Sequence, residues 1–280
     1  MKKYLPNILV FIIVFGTLTG LFWIGIFGGT QERLTDLLFL PRSVNQDIVI
    51  IAIDDKSINK IGRWPWDRKI HAKLLEKLSL QKPIAIGYDV AFPEKSNDES
   101  DKLLAKSLKN LNVILPVEQV EGGLQKPYEL FVTKTGLVNV HIDSDGIVRR
   151  IPSDGFASQV LGKKATLDAE NFRINYAGKP GSFISYSFID VLENKIPLDN
   201  FKDKYVLVGA TAVDLHDSQV TPVSAGKEMA GVEIHANAMA TVLENKYLIT
   251  ESKSFTLLTI FTFTLLAVIT ASWPVAWIWL

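Results

Sequence analysis

The distribution of charge constrains this chain more than any other feature of its sequence. Residues 5–29 contain no charged side chain, and neither do residues 254–280. All 30 acidic residues, and all but Lys2 and Lys3 of the 30 basic ones, lie between Thr30 and Lys253. A polar piece is therefore held between two apolar ends. At a rise of ~1.5 Å per residue, a helix over residues 5–27 is long enough to cross a hydrocarbon core of roughly 30 Å. The run exceeds the ~7–15 residues of a signal-peptide core and ends without an A-x-A-like site, so it reads as an uncleaved anchor. Residues 255–271 read as a second span. After it, Pro274 would break a continuous helix, and Trp273, Trp277 and Trp279 are rings of the kind that gather at a membrane interface. Residues 272–280 thus read as a turn and the start of a truncated further span.

Lys2 and Lys3 precede the first span. By the positive-inside tendency residues 1–4 stay in the cytoplasm and the polar piece is sent outside. The expected place is the inner (plasma) membrane, multi-pass, with the lipid bilayer as a partner and the polar piece extracytoplasmic or periplasmic. The chain has no cysteine, which rules out a disulfide framework and is compatible with export. A formal net charge of +0 argues against a nucleic-acid partner, which needs a clear cationic excess.

Within the polar piece the hydrophobic runs change period repeatedly. Residues 48–53, apolar throughout and bounded by Asp47 and Asp54, predict a strand buried on both faces. From Arg68 the spacing of Ile70, Leu74, Leu75 and Leu78 predicts a helix, with Asp67 placed to cap it. Residues 84–89 predict the next strand, so the three make a right-handed β-α-β unit. A second helix is expected from Asn97 or Asp98 (Leu103, Leu104, Leu108), then a strand over 113–117. Residues 137–142 and 147–151 flank Asp143-Ser144-Asp145-Gly146 and read as a hairpin with an Asp-Gly turn. Ser185 is expected to cap a helix carrying Phe188, Val191 and Leu192. Residues 205–209 read as a third parallel strand, followed by a long loop and a helix marked by Val232, Ala236, Met239 and Leu243. Residues 28–44 read as a juxtamembrane helix and linker, the helix amphipathic over 31–40. The fold class expected for residues 45–250 is α/β, a mainly parallel sheet with flanking helices and an antiparallel hairpin, bounded by transmembrane helices. About 200 residues suffice for a single self-supporting core.

Several local strings taken together resemble the CHASE domain of the second type. They are Asp54-Asp55-Lys56-Ser57, Gly62-Arg63-Trp64-Pro65-Trp66 with Arg68, His71 and Ala72, and Asp89 with Phe92. Further on come Asp145-Gly146-Ile147-Val148-Arg149-Arg150, the run from Asp203 to Thr211, and the run from Gly231 to Asn237. The resemblance implies an extracytoplasmic sensory domain, with one span before it and typically three after. In the family a nucleotide cyclase, a histidine kinase or a Ser/Thr kinase follows, so a cyclase or kinase output module is an implied partner that this chain does not carry.

If the buried runs are neighbouring parallel strands, Asp54, Asp89 and the turn at Thr211 all lie at carboxyl ends, where open α/β sheets bind ligands. Carboxylates there suit a cation, an amine or a polyhydroxylated ligand. The competing expectation is that Asp54 and Asp89 cap helices or accept loop N–H bonds. Trp64 and Trp66 beside Arg63 and Arg68 suit a sugar, a ring-bearing metabolite or an anion. The competing reading is a rigid loop packed over the sheet edge. With His71, these make the candidate ligand-binding set. His71, His141, His216 and His235 are scattered, so neither a metal nor a cofactor is expected. Asp143-Ser144-Asp145-Gly146 departs from a calcium loop after four residues. Ser57 and Ser218 have no evident His-Asp partners, and no hydrolase or nucleotide-binding motif is present.

The expected function is a ligand-sensing input module of a bacterial-type receptor, not an enzyme, responding to a small-molecule or envelope ligand and plausible as a homodimer. Two other readings compete with it: a membrane-anchored envelope enzyme of hydrolase type, and a non-signalling structural or interaction protein.

Overall fold

The computed structural model of the chain describes residues 5–26, 28–165, 170–248 and 252–272. Lys2, Lys3, Trp273, Pro274, Trp277 and Trp279 lie outside the described residues. The chain opens with α1 (Leu5–Trp23) and α2 (Gly28–Asp36), followed by β1 (Ile48–Ile53), α3 (Asp55–Ile61) and α4 (Arg68–Ser79). Next come β2 (Ala85–Asp89), α5 (Asp98–Lys109), β3 (Val113–Val120), β4 (Gly123–Gln125) and β5 (Lys134–Leu137). The short strands β6 (His141–Ile142) and β7 (Val148–Pro152) precede α6 (Phe156–Leu161), β8 (Asn171–Arg173), β9 (Ile184–Ser187) and α7 (Phe188–Leu192). The remainder is β10 (Tyr205–Ala210), β11 (Ser218–Gln219), β12 (Met229–Ala230), α8 (Gly231–Leu243) and α9 (Lys253–Ser272).

The chain divides into two units, the terminal helices and a domain over Leu38–Leu248. In the first, α1 and α9 are both long and apolar enough to cross a membrane by length and composition. They meet through Phe261, whose ring stands edge-on to Phe11 at 5.3 Å and Phe15 at 5.6 Å. On α9, Thr259, Thr262 and Thr264 donate their hydroxyls to carbonyls four residues back. That satisfies each polar group within the helix, as an apolar solvent requires.

In the domain, the continuous apolar runs become a parallel core. The sheet order is β4-β3-β2-β10-β1-β9, with β5 also pairing with β3. β1, β2, β9 and β10 are mutually parallel, and β10 lies between β1 and β2. All six residues of β1 are buried, as expected of a strand covered on both faces. Val49, Ile51 and Ile53 face α4, α5 and α7, while Ile48 and Ile50 face α6 and α8. α8 is buried nearly all round, from Val232 to Val242. Its apolar stripe is therefore wider than that of a surface helix.

Some expectations shift. The helix expected over 31–40 runs Gly28–Asp36 instead. Ser185 is not a cap: it pairs with Ile50 within β9, and α7 starts at Phe188 after Ser187. Alternation through Ile184, Ser185, Tyr186 and Ser187 suits an edge strand with one covered face, and is easily mistaken for a helix lead-in. Leu137 leaves the hairpin to join β3 in the main sheet, so the hairpin around Gly146 pairs only β6 with β7. β8 extends it to three strands.

One close approach sets the geometry of the sheet's carboxyl edge. A Cβ on Gly209 would lie 2.7 Å from Cβ of Val232 and 3.3 Å from Cβ of Asp89. Only glycine lets β10 and the start of α8 come this near. Gly209→Ala is expected to destabilise the domain by ~1–3 kcal/mol, because the clash is with backbone-proximal atoms that cannot swing away. Urea unfolding of the detergent-solubilised chain, followed by circular dichroism, checks this. An unchanged midpoint would contradict it.

Candidate functional site

β1, β10 and β2 end side by side at Ile53, Ala210 and Asp89. Along this edge lies a cleft of about 840 Å³. Successive strand residues point to opposite faces, so the cleft has two chemically different walls.

The wall on the α4 side is aromatic. Asp67 caps α4 by accepting the Lys69 N–H at 2.9 Å, which puts Arg68 and His71 in the first turn. His71 is only 1% exposed. Its ring lies 5.1–6.0 Å from the rings of Trp64, Trp66, Tyr88, Phe92 and Phe188. Burial, helped by the charge of Arg68, pushes its pKa down to about 3, so the imidazole is neutral. His71 Nδ1 is 2.8 Å from the Tyr88 hydroxyl, which has no other partner. A buried hydroxyl with one neighbour donates its hydrogen to it, since the reverse would strand that hydrogen. His71 therefore carries its own proton on Nε2, and Nε2 meets no partner in the protein.

Arg68 is already engaged. Its guanidinium reaches Asp101 at 2.5 Å and the Glu94 carbonyl, and lies over Phe92 (5.7 Å) and Phe131 (5.4 Å). It pins α4 to α5 and to the segment after β2. Trp66 is buried and donates its indole N–H to the Gly62 carbonyl at 2.9 Å. Trp64 is half-buried with its ring 5.0 Å from that of Trp66.

The opposite wall is acidic. Asp89, Glu118 and Asp217 line it, and none has a hydrogen-bonding or ionic side-chain partner. Asp89 is half-buried at the end of β2. Desolvation, then the charges of Asp217 and Glu118, raise its pKa to about 8. Asp217 is raised as well, by desolvation and by Glu118; its carboxylate reaches solvent along the cleft while its inner side lies against Gly231. A Cβ on Gly231 would stand 2.6 Å from Asp217 Oδ1.

Thus Trp64, Trp66, Arg68, His71 and Asp89, out of the candidate set, line one cleft. Asp54 and Thr211 line a neighbouring cleft of about 550 Å³, and Arg63 is exposed outside both. Asp54 caps α3 through the Ser57 N–H (2.9 Å) and also accepts from the hydroxyls of Ser57 and Ser187. Sequence reasoning missed Glu118 and Asp217. Glu118 belongs to β3 beyond its apolar run, and the strand's period-2 alternation was the available signal. Asp217 lies in an aperiodic loop with none.

A family model of the CHASE2 domain matches residues 9–274. The chain belongs to the CHASE2 family. CHASE2 is an extracellular sensory domain of signalling receptors and is non-catalytic. No curated protein and no solved structure matches the chain.

The raised pKa of Asp89 gives this CHASE2 domain a pH-dependent stability. The folded value of about 8 exceeds the ordinary aspartate value of 3.8, so the contribution is full below the latter and is lost as pH rises through the former. Asp89→Asn is expected to raise the melting temperature by ~5 °C near pH 9 and to leave it unchanged near pH 4. Differential scanning calorimetry at both pH values decides this. Equal effects would show that Asp89 is not held in a desolvated, acidic setting.

Proposed function

We propose that the chain is the ligand-sensing input module of a bacterial-type transmembrane receptor, its domain outside the cytoplasm and its ligand site in the cleft at the carboxyl edge of the sheet. The observation that carries this reading is the contrast between the walls: an aromatic face whose polar groups are largely satisfied, opposite three acids with no partner. A fold rarely leaves acids together and uncompensated.

The relay uses the ends of the domain. Arg42, in the segment before β1, donates to Glu244 at 2.8 Å and to the Asn175 carbonyl at 2.7 Å. Glu244 closes the carboxyl end of α8. Entry and exit segments are therefore tied together, and α8 leads in sequence to α9. A ligand seated against Asp217 acts at the other end of α8, beside Gly231. It shifts the equilibrium between two placements of that helix by its differential affinity for them. Residues 1–4 are cytoplasmic in this arrangement, α1 and α9 cross the inner membrane, and a cyclase or kinase module receives the signal. A homodimer suits such a relay.

Two measurements test this. The chain has no cysteine, so Lys109→Cys, on the exposed face of α5, gives a single label site. A membrane-impermeant maleimide is expected to label it in intact cells, whereas labelling only after lysis would place the domain inside. In a fusion to a cyclase, Arg42→Ala is expected to keep ligand binding but to reduce the ligand-dependent change in output. An undiminished response refutes the relay.

A further inference from the structure

The charges along the cleft do not balance. Of the cations on its rim, Arg68 is bonded to Asp101 and Lys95 to Asp98 at 2.7 Å. Lys126 stands exposed at the mouth, as does Glu94 of opposite sign. The charges acting on half-buried Asp89 are both negative, those of exposed Asp217 and exposed Glu118. Among the described residues no cation is hydrogen-bonded or ion-paired to any of these three.

A second observation is independent of the acids. His71 is 1% exposed, lines the same cleft, and presents an Nε2–H without a partner. This nitrogen is not one of the fully buried unpartnered atoms of the described residues, so it opens on the cleft, where an acceptor can reach it. Trp64 adds a half-buried ring face beside it. The volume suits a metabolite-sized molecule rather than an ion. Among the described residues no three carboxylates or imidazoles gather to hold a metal ion.

We infer that the cleft takes an organic cation: an ammonium drawn to the wall lined by Asp89, Asp217 and Glu118, on a body with a ring or apolar face toward Trp64 and an acceptor oxygen for His71 Nε2–H. This rests on the sensory reading of the cleft and narrows it to one charge class. The acids supply Coulombic attraction and charge-assisted hydrogen bonds. The ring wall supplies apolar burial, and the imidazole fixes orientation. An anionic ligand would meet acids instead; Asp89, held up to about 8, is protonated at neutral pH, and an ammonium beside it favours its ionised form.

The test is isothermal titration calorimetry on the detergent-solubilised full chain. The probes are phenylalaninamide, tyrosinamide and tryptophanamide, each paired with its N-acetyl derivative, which keeps ring and carbonyl but loses the charge. Binding of at least one amine is expected, with its N-acetyl partner weaker by about tenfold or more. The Asp89→Asn/Asp217→Asn pair of substitutions, and separately the exposed Glu118→Gln, are expected to shrink that ratio. Circular dichroism verifies that each variant is folded. The inference is overturned if amine and N-acetyl forms bind equally, if no amine binds at millimolar concentration, or if the ratio survives in the folded variants. Binding of phenylacetate in preference to the amines would sink this inference and leave the sensory reading standing. Amine binding without any response in a cyclase fusion would do the opposite.

Discussion

The placement of β10 between β1 and β2 is the constraint on which the rest of the domain depends. Three parallel strands paired in this order must all leave the sheet at one edge, so the segments after Ile53, Asp89 and Ala210 meet there. Burial on both faces removes their backbone groups from water and leaves the ladder as the only partner for those groups. The two cores then follow from the pleat, alternate residues packing under α4, α5 and α7 on one face and under α6 and α8 on the other. Because α8 touches β10 at Gly209, its amino-terminal end is held at the same edge. The cleft is what remains between these elements.

Several residues carrying the CHASE2 resemblance build the frame rather than the cleft. Arg149 is 1% exposed and bonds Asp143 and Asp145 in the hairpin turn, at 2.8 Å and 2.9 Å. Burial of the guanidinium demands those acids, which explains the string from Asp145 to Arg150 without a ligand. Glu233 accepts the Gly181 and Ser182 N–H groups, and Asn237 accepts that of Ala177, fastening α8 to the loop before β9. His235 is buried against Phe156, with burial lowering its pKa to about 4. Asp54 ties β1, α3 and the end of β9 into one knot. The cleft proper uses fewer of the shared residues, chiefly the tryptophan loop, Arg68, His71 and Asp89.

The two walls divide the work. On the aromatic side Arg68 and Trp66 find partners inside the protein, so that wall is rigid before anything binds. On the acidic side nothing neutralises the carboxylates, so that wall gains most when something does.

Much of the frame was legible in the chain. The chargeless ends, the acid-bounded run of β1, the helical spacing after Asp67 and the Asp-Gly turn each record a local physical demand: apolar solvent, two-sided burial, a one-sided stripe, a residue free to take positive φ. Trp64, Trp66, Arg68, His71 and Asp89 could be singled out because their types are unusual at a strand end or in a tight loop. The tertiary structure alone decided which of them share a cleft. It separated Asp54 and Thr211 from that group, showed Arg68 to be engaged, and brought Glu118 and Asp217 opposite the rings. Those two acids are distant in sequence: Glu118 follows the buried run of β3, and Asp217 lies in an aperiodic loop. Their meaning is a shared field at Asp89, and a field exists only once the fold has placed its charges.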